Sequence, residues 1–151
     1  MTQQKDIFKA SEGDEYFRRN ISMLDGKDDV LDVPEVLKYI KIIPTRVLEV
    51  GCSNGHRLSR IEKSFHAECH GIDPSPSAIE SGIKKYPHIH LKVGTADTLA
   101  FDDNFFDMVV FGFCLYLCDR HDLFKIAFEA NRCLIDNGIL VIKDFTLPLS
   151  I

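Results

Sequence analysis

The sequence predicts an α/β domain built on a doubly wound parallel sheet. Five short runs rich in β-branched and aromatic residues alternate with stretches of helical periodicity. Strands alternating with helices argue for parallel neighbours, which need crossover connections where antiparallel ones need only a hairpin. A length of 151 residues with 45% hydrophobic content suits one domain with its own core.

Residues 1–30 are polar and weakly periodic, and read as an N-terminal arm or lid ahead of a core over 31–151, the whole 1–151 being a single domain. Helix-start chemistry follows: Asp32 can cap, Pro34 fits a first turn, Glu35 stands three residues after the cap, and Val36, Leu37 and Ile40 share a face until Pro44. Strands are predicted over 46–50, 68–72, 88–93, 106–111 and 138–145, and helices over 54–65, 75–86 and 119–135. The last helix carries Leu123, Ile126, Ala127, Ala130 and Leu134 at helical spacing. Residues 94–105 read as a loop or short helix.

A net charge of −5 without a long Lys/Arg run argues against a dedicated nucleic-acid or membrane-surface binder. Five cysteines with no CxxC pair, and no apolar leader at the start, fit a reduced cytoplasmic protein. The six histidines show no HExxH and no zinc-type Cys/His spacing, so no metal is assigned.

In a doubly wound fold the ligand binds beyond the carboxyl ends of the strands. There the chain offers Glu49-Val50-Gly51-Cys52-Ser53-Asn54-Gly55, then Asp73-Pro74-Ser75, Gly94-Thr95-Ala96-Asp97, Phe111-Gly112-Phe113, and Phe145. The first turn is not the GxGxxG of dinucleotide binders. Glu49 would repel a pyrophosphate at about 4 Å by about 1 to 4 kcal/mol and would attract a cation. Asp73, 22 residues after Gly51, stands where an acidic residue accepts the hydroxyls of a ribose, and it also suits an N-cap. The pattern asks for a ligand carrying adenosine and a positive centre.

"VLEVGCSNG", "GIDPSPSAIE", "VGTADTLAFDDNFFDMV" and "GILVIKDF", in this order, resemble the successive motifs of the class I S-adenosylmethionine-dependent methyltransferases over residues 36–145. The resemblance implies a Rossmann-like sheet in the order 3-2-1-4-5 and S-adenosyl-L-methionine as cofactor, with S-adenosyl-L-homocysteine as product. It implies that the turn of Gly51, Cys52, Ser53 and Gly55 approaches the methionine part, that Glu49 faces its cationic centre, and that Asp73 holds the ribose with Pro74 and Ser75 bordering the adenine. Where many members carry an aspartate directly after the third-strand glycine, this chain has Thr95, so the base is read either by Thr95 and Ala96 or by Asp97.

After the fourth strand, Gly112 suits close backbone approach and Phe113 supplies aromatic wall. Tyr116 is the candidate to reach the acceptor, with His121 as the titrating group able to relay a proton. The arm segment "KASEGDEYFRRN" resembles the leading segment of bacterial methyltransferases of sugar or cell-surface polysaccharide pathways, which implies that Tyr16, Arg18 and Arg19 close over the cofactor and that the acceptor is a small molecule of that class. A non-catalytic S-adenosylmethionine-binding domain or a subunit of a heteromeric enzyme is the alternative, and a nicotinamide-dependent oxidoreductase is disfavoured by the turn and by Glu49. Family members continue past the fifth strand with two more strands. Strands 6 and 7 are therefore expected to be missing here, leaving an open fifth-strand edge that invites a homodimer, while Pro148 argues against a further long central strand.

Overall fold

The computed structural model describes residues 3–24 and 32–145; the expectations placed on residues 146–151, Pro148 among them, lie outside the described residues. Strands β1 (Arg46–Val50), β2 (Glu68–Asp73), β3 (His90–Val93), β4 (Phe106–Gly112) and β5 (Leu134–Lys143) form one sheet. Its order is β3-β2-β1-β4-β5, with every pairing parallel.

The two central strands are nearly continuous apolar runs because both of their faces are covered. Alternation along the chain divides the core into two layers. Val47, Cys69, Met108 and Val110 pack on one face with Leu58 and Ile61 of α4 (His56–Phe65) and Ile79 of α5 (Pro76–Lys85). Leu48, Val50, Val109 and Phe111 pack on the other with Ile126 and Ala130 of α6 (Leu123–Cys133).

The start of α3 carries the chemistry that the sequence indicates, whereas α5 is capped by Ser75 and not by Asp73. The Asp32 carboxylate caps α3 (Val33–Tyr39), accepting from the Val33 amide at 2.9 Å. Ser75 caps α5, its Oγ accepting from the Ala78 amide at 3.0 Å, with Pro76 in the first turn. Gly55 precedes α4 in the left-handed region.

Several boundaries differ from expectation. The last helix ends at Cys133 and not at 135, because Leu134 is already extended and pairs with Phe106, so β5 begins four residues earlier than 138. Strand β3 starts at His90 because a turn from Tyr86 to Ile89 occupies the preceding residues. Residues 94–105 form a loop, the first of the two forms expected for them, shaped by an antiparallel bridge between Thr95 and Thr98.

The arm departs most. It is helical from α1 (Gln4–Ile7) through a π-helical turn (Phe8–Glu12) into α2 (Gly13–Leu24). A π turn inserts a residue and shifts the phase of the apolar face, which explains the weak periodicity of the sequence here. The segment is pinned to the strand ends. Lys5 Nζ reaches Asp97 at 2.8 Å and Asp122 at 3.2 Å, and the Gln4 amide donates to Asp119 at 2.7 Å. Asp14 accepts from the Ser75 hydroxyl at 2.5 Å and from the amide and hydroxyl of Ser77.

Candidate functional site

Between α1–α2 and the carboxyl ends of the strands lies a cavity of about 570 Å³, within the usual range for a small-molecule site. The turn after β1 forms its floor. The Gly51 and Cys52 amides both donate to the Ile72 carbonyl, at 2.9 and 3.0 Å, tying the turn to β2. Gly51 has φ +75°, and a Cβ placed there would sit 2.5 Å from the Cys114 Cβ. Glycine is required by backbone conformation and by Cys114, rather than by ligand approach alone. Ser53 (φ 51°) and Phe113 (φ 56°), both on the cavity wall, also hold left-handed conformations. For a bulky residue such as phenylalanine this is backbone strain, which concentrates at functional sites.

Asp73 ends β2 facing the cavity. Its carboxylate accepts from the Ser53 amide at 2.8 Å and the Ser75 amide at 2.9 Å. Among the described residues no cation pairs with it, and burial pushes its carboxyl up to about 6. A carboxylate offers about four acceptor positions, so two remain for hydroxyl donors.

Glu49 is 1% exposed. One oxygen accepts from Arg57 of α4, while Oε2 has no hydrogen-bond partner among the described residues. Burial raises its pKa against the opposing pull of Arg57. An orphaned buried carboxylate oxygen is costly unless a donor arrives. Gly112 permits this arrangement, since a Cβ there would strike both Arg57 and Glu49.

Arg57 Nε also donates to Asp32 at 2.8 Å, and Arg60 Nη1 and Lys143 Nζ reach the same carboxylate at 2.9 and 3.1 Å. Burial works against the charge on Asp32, but Arg57, the Val33 amide and Lys143 outweigh it and hold its carboxyl down at about 2. Asp97 is likewise held at about 2: burial opposes its charge, and Lys5 and Thr95 outweigh that.

Of the residues singled out from sequence, Glu49, Gly51, Cys52, Ser53, Asp73 and Pro74 lie on the cavity wall. Thr95, Ala96, Asp97, Gly112, Phe113 and Tyr16 join them there. Gly55 and Ser75 serve as helix caps just behind the wall. Arg19 does not reach the cavity: α2 turns Gly13, Tyr16, Phe17 and Asn20 inward, leaving Arg18 and Arg19 outside on Glu15 and Glu12. His121 does not line the cavity; its side chain is 61% exposed and its ring accepts from Gln3 at 3.4 Å. Tyr116 is not on the cavity wall; its hydroxyl lies 3.0 Å from that of Tyr16, which is, and burial together with this bond raises its pKa. The phenol is a donor at neutral pH, not a ready base.

Asp32, Arg57, Arg60 and Lys143 were not among the residues assigned to the site from sequence. The sequence signal is Arg57 and Arg60 three apart on α4, which share a face; the Asp32 that joins them lies 25 and 28 residues away, while Glu49 stands 8 residues from Arg57.

Residues 47–138 match the family model of the methyltransferase domain. The chain is 32% identical over 111 residues to the demethylmenaquinone methyltransferase of Staphylococcus haemolyticus, covering 70% of this chain and 46% of that protein. The chain belongs to the methyltransferase domain family. It spans about half the length of the curated relatives it matches, 46% and 42% for the first two. Its fold is that of the Haemonchus contortus phosphoethanolamine N-methyltransferase 1, solved with phosphoethanolamine and S-adenosylhomocysteine (TM-score 0.73, 20% identity, 95% of this chain and 33% of that one). It is also that of a Micromonospora echinaspora amino pentose methyltransferase with S-adenosylmethionine bound (TM-score 0.70, 21% identity, 87% and 57% of the two chains). No helix among the described residues is long and apolar enough to cross a membrane.

Proposed function

We propose that this chain binds S-adenosyl-L-methionine in the cavity and transfers its methyl group to a small-molecule acceptor. The observation that carries the reading is the pairing, within one cavity of a methyltransferase-family domain, of an uncompensated carboxylate at Asp73 with an orphaned carboxylate oxygen at Glu49. Asp73 keeps acceptor positions beyond its two amide donors, and Glu49 Oε2 has no donor among the described residues. The residues fit the cofactor: Asp73 would accept the ribose hydroxyls, Glu49 Oε2 the α-ammonium, and Arg57 the carboxylate of the methionine part, while Thr95, Ala96 and Asp97 border the adenine side.

Bound S-adenosylmethionine supplies a methyl group on a positively charged sulfur, already activated toward a nucleophile. The work left to the chain is orientation and exclusion of water, and holding reactants in place can supply about 7 to 11 kcal/mol. The turn at Gly51 to Ser53 and the pinned α1–α2 segment perform it by closing the cavity from opposite sides. Tyr16 on the cavity wall and Tyr116 beside it share one hydrogen bond.

The acceptor would lie against the rings of Phe113, Tyr116 and Phe145. Phe145 is 4.9 Å from Phe113 and 5.3 Å from Tyr116, centroid to centroid. An aromatic wall favours a flat or apolar face on the acceptor, which a quinone ring or the face of a sugar presents. His121 would relay a proton only after a rim movement, since its ring is exposed and engaged with Gln3.

Titration calorimetry of S-adenosylhomocysteine into the chain is expected to give one-site binding, with no heat from NAD. Methyl transfer from labelled cofactor to a demethylated quinone and to an amino sugar then identifies the acceptor class. Binding without turnover on any acceptor would favour a non-catalytic domain or a subunit of a heteromeric enzyme.

The exposed Leu140 and Ile142 of edge strand β5 support a homodimer along that edge, which light scattering tests. Free thiols at all five cysteines support a reducing, cytoplasmic compartment.

A further inference from the structure

Far from the strand ends that form the cavity, one face of β2 and β3 carries a second group of chemistry-bearing side chains. Glu68 and His70 are two apart on β2 and so project from the same face, and the parallel register sets His90 of β3 directly beside His70. The two imidazoles stack with centroids 4.7 Å apart. His70 Nε2 lies 2.8 Å from Glu68 Oε1. Behind it, the edges of Phe101, Phe105 and Phe106 close on the His70 ring at 5.3 to 5.7 Å, fixing its plane. The ligand atoms of the three residues all fall within 4.8 Å of one another.

We propose that Glu68, His70 and His90 form a binding site for a borderline divalent cation such as Zn²⁺ or Co²⁺, separate from the cofactor cavity, which none of the three lines. Two imidazoles and one carboxylate are the donor set that such ions take, with water filling the remaining positions. A tetrahedral ion with bonds of about 2.0 to 2.2 Å sets its ligand atoms about 3.4 Å apart. The Glu68–His70 gap therefore opens slightly and His90 closes in. His70, whose side chain is 13% exposed, is the fixed member; Glu68 is 45% exposed and His90 is also exposed, so both can turn. Arg46, now 3.4 Å from the other Glu68 oxygen, gives up part of that contact when the ion binds. A second group, Asp119, His121 and Asp122, is a poorer candidate because Gln4 and Lys5 already hold its carboxylates.

The consequence is mechanical. Strand β3 is four residues long and lies at the sheet edge, and the ion would tie it to β2 through side chains as well as the ladder. The full chain, stripped with chelator, is titrated with Zn²⁺ while its unfolding temperature is followed, and Co²⁺ binding is read in parallel by absorption. One equivalent of Zn²⁺ is expected to raise the midpoint, and Co²⁺ to give ligand-field bands without thiolate charge transfer. His90→Ala and Glu68→Gln, both at exposed positions, should each keep the metal-free midpoint and lose the Zn²⁺-induced rise; if one fails to fold, the other decides. Absence of binding, binding undiminished in both variants, or thiolate bands from the five cysteines would overturn the assignment.

Discussion

Asp32 and Asp73 line the same cavity, both largely removed from water, and are driven in opposite directions. Asp32 is 4% exposed and held at about 2, while Asp73 is pushed up to about 6. The difference lies in their company. Asp32 meets Arg57, Arg60 and Lys143, whereas among the described residues Asp73 accepts only from two backbone amides. Amide dipoles offset part of the cost of burying a charge, and full cations offset more. Asp32 thus finds its counter-charges within the protein, while Asp73 keeps the acceptor positions that we propose the ribose hydroxyls fill.

The most damaging way to break this contrast is to remove the charge-paired side. Asp32→Ala leaves three cations around a space that held one carboxylate, and loss of one partner from a buried ionic group costs about 3 to 5 kcal/mol. Urea unfolding at neutral pH is expected to register a loss of that size. A loss below about 1 kcal/mol, the figure typical of surface pairs, would show that water screens the cluster.

On the other side the same kind of change should strike binding. Asp73→Ala is expected to weaken S-adenosylhomocysteine by about 2 to 4 kcal/mol, since hydrogen bonds to a charged group contribute about 1.5 to 3 kcal/mol each and water replaces part of them. Calorimetry on the folded variant measures this, and an unchanged affinity would take the ribose away from Asp73.

Acid sharpens the contrast because the two groups respond with opposite sign. Asp32, lowered in the fold, contributes stability that is fully present above about pH 4 and is lost as pH falls through about 2. Asp73, raised in the fold, binds a proton between about pH 6 and 4 that the unfolded chain gives up, so its contribution to stability grows on acidification across that window. Affinity for the cofactor product should move the other way, falling below about pH 6 as the acceptor is protonated. Asp73→Asn should flatten both curves, and a curve unaltered by that substitution would assign the window to another group.

How much of this was legible in the sequence follows from the range of the interactions. Asp73 could be read because its distance from Gly51 is set locally by one strand-helix-strand unit. The sheet order followed from family resemblance, and the strands from their apolar runs. Arg57 could not be assigned, since its meaning depends on Asp32, 25 residues earlier, and on Lys143 at the far end of β5. The arm hid its helix because the π turn breaks the period that would reveal it. Arg19 was misleading for the same reason: without the phase of α2, inward and outward positions cannot be told apart. The Glu68–His70–His90 group escapes any linear spacing rule, because only the register of β2 against β3 brings it together.

The smallest effect concerns the tyrosine pair beside the cavity. Tyr16 and Tyr116 join the arm to the segment after β4 through hydroxyls 3.0 Å apart, in a partly exposed position. If this bond only ties the lid, Tyr116→Phe should cost about 0.5 to 1.5 kcal/mol, the net contribution of one neutral hydrogen bond. Tyr16→Phe should cost the same, and the double variant should add little to either, because each single change already removes the bond. Turnover, once an acceptor is known, should then fall only a few-fold in all three. Were the Tyr116 phenol to carry a proton in the reaction, its loss alone would lower kcat about 10²- to 10⁴-fold and Tyr16→Phe would not reproduce it. The raised pKa of Tyr116 argues for the first outcome, since a phenol that holds its proton this firmly is a poor base at neutral pH. A kcat measurement on the two single variants separates a latch from a proton carrier.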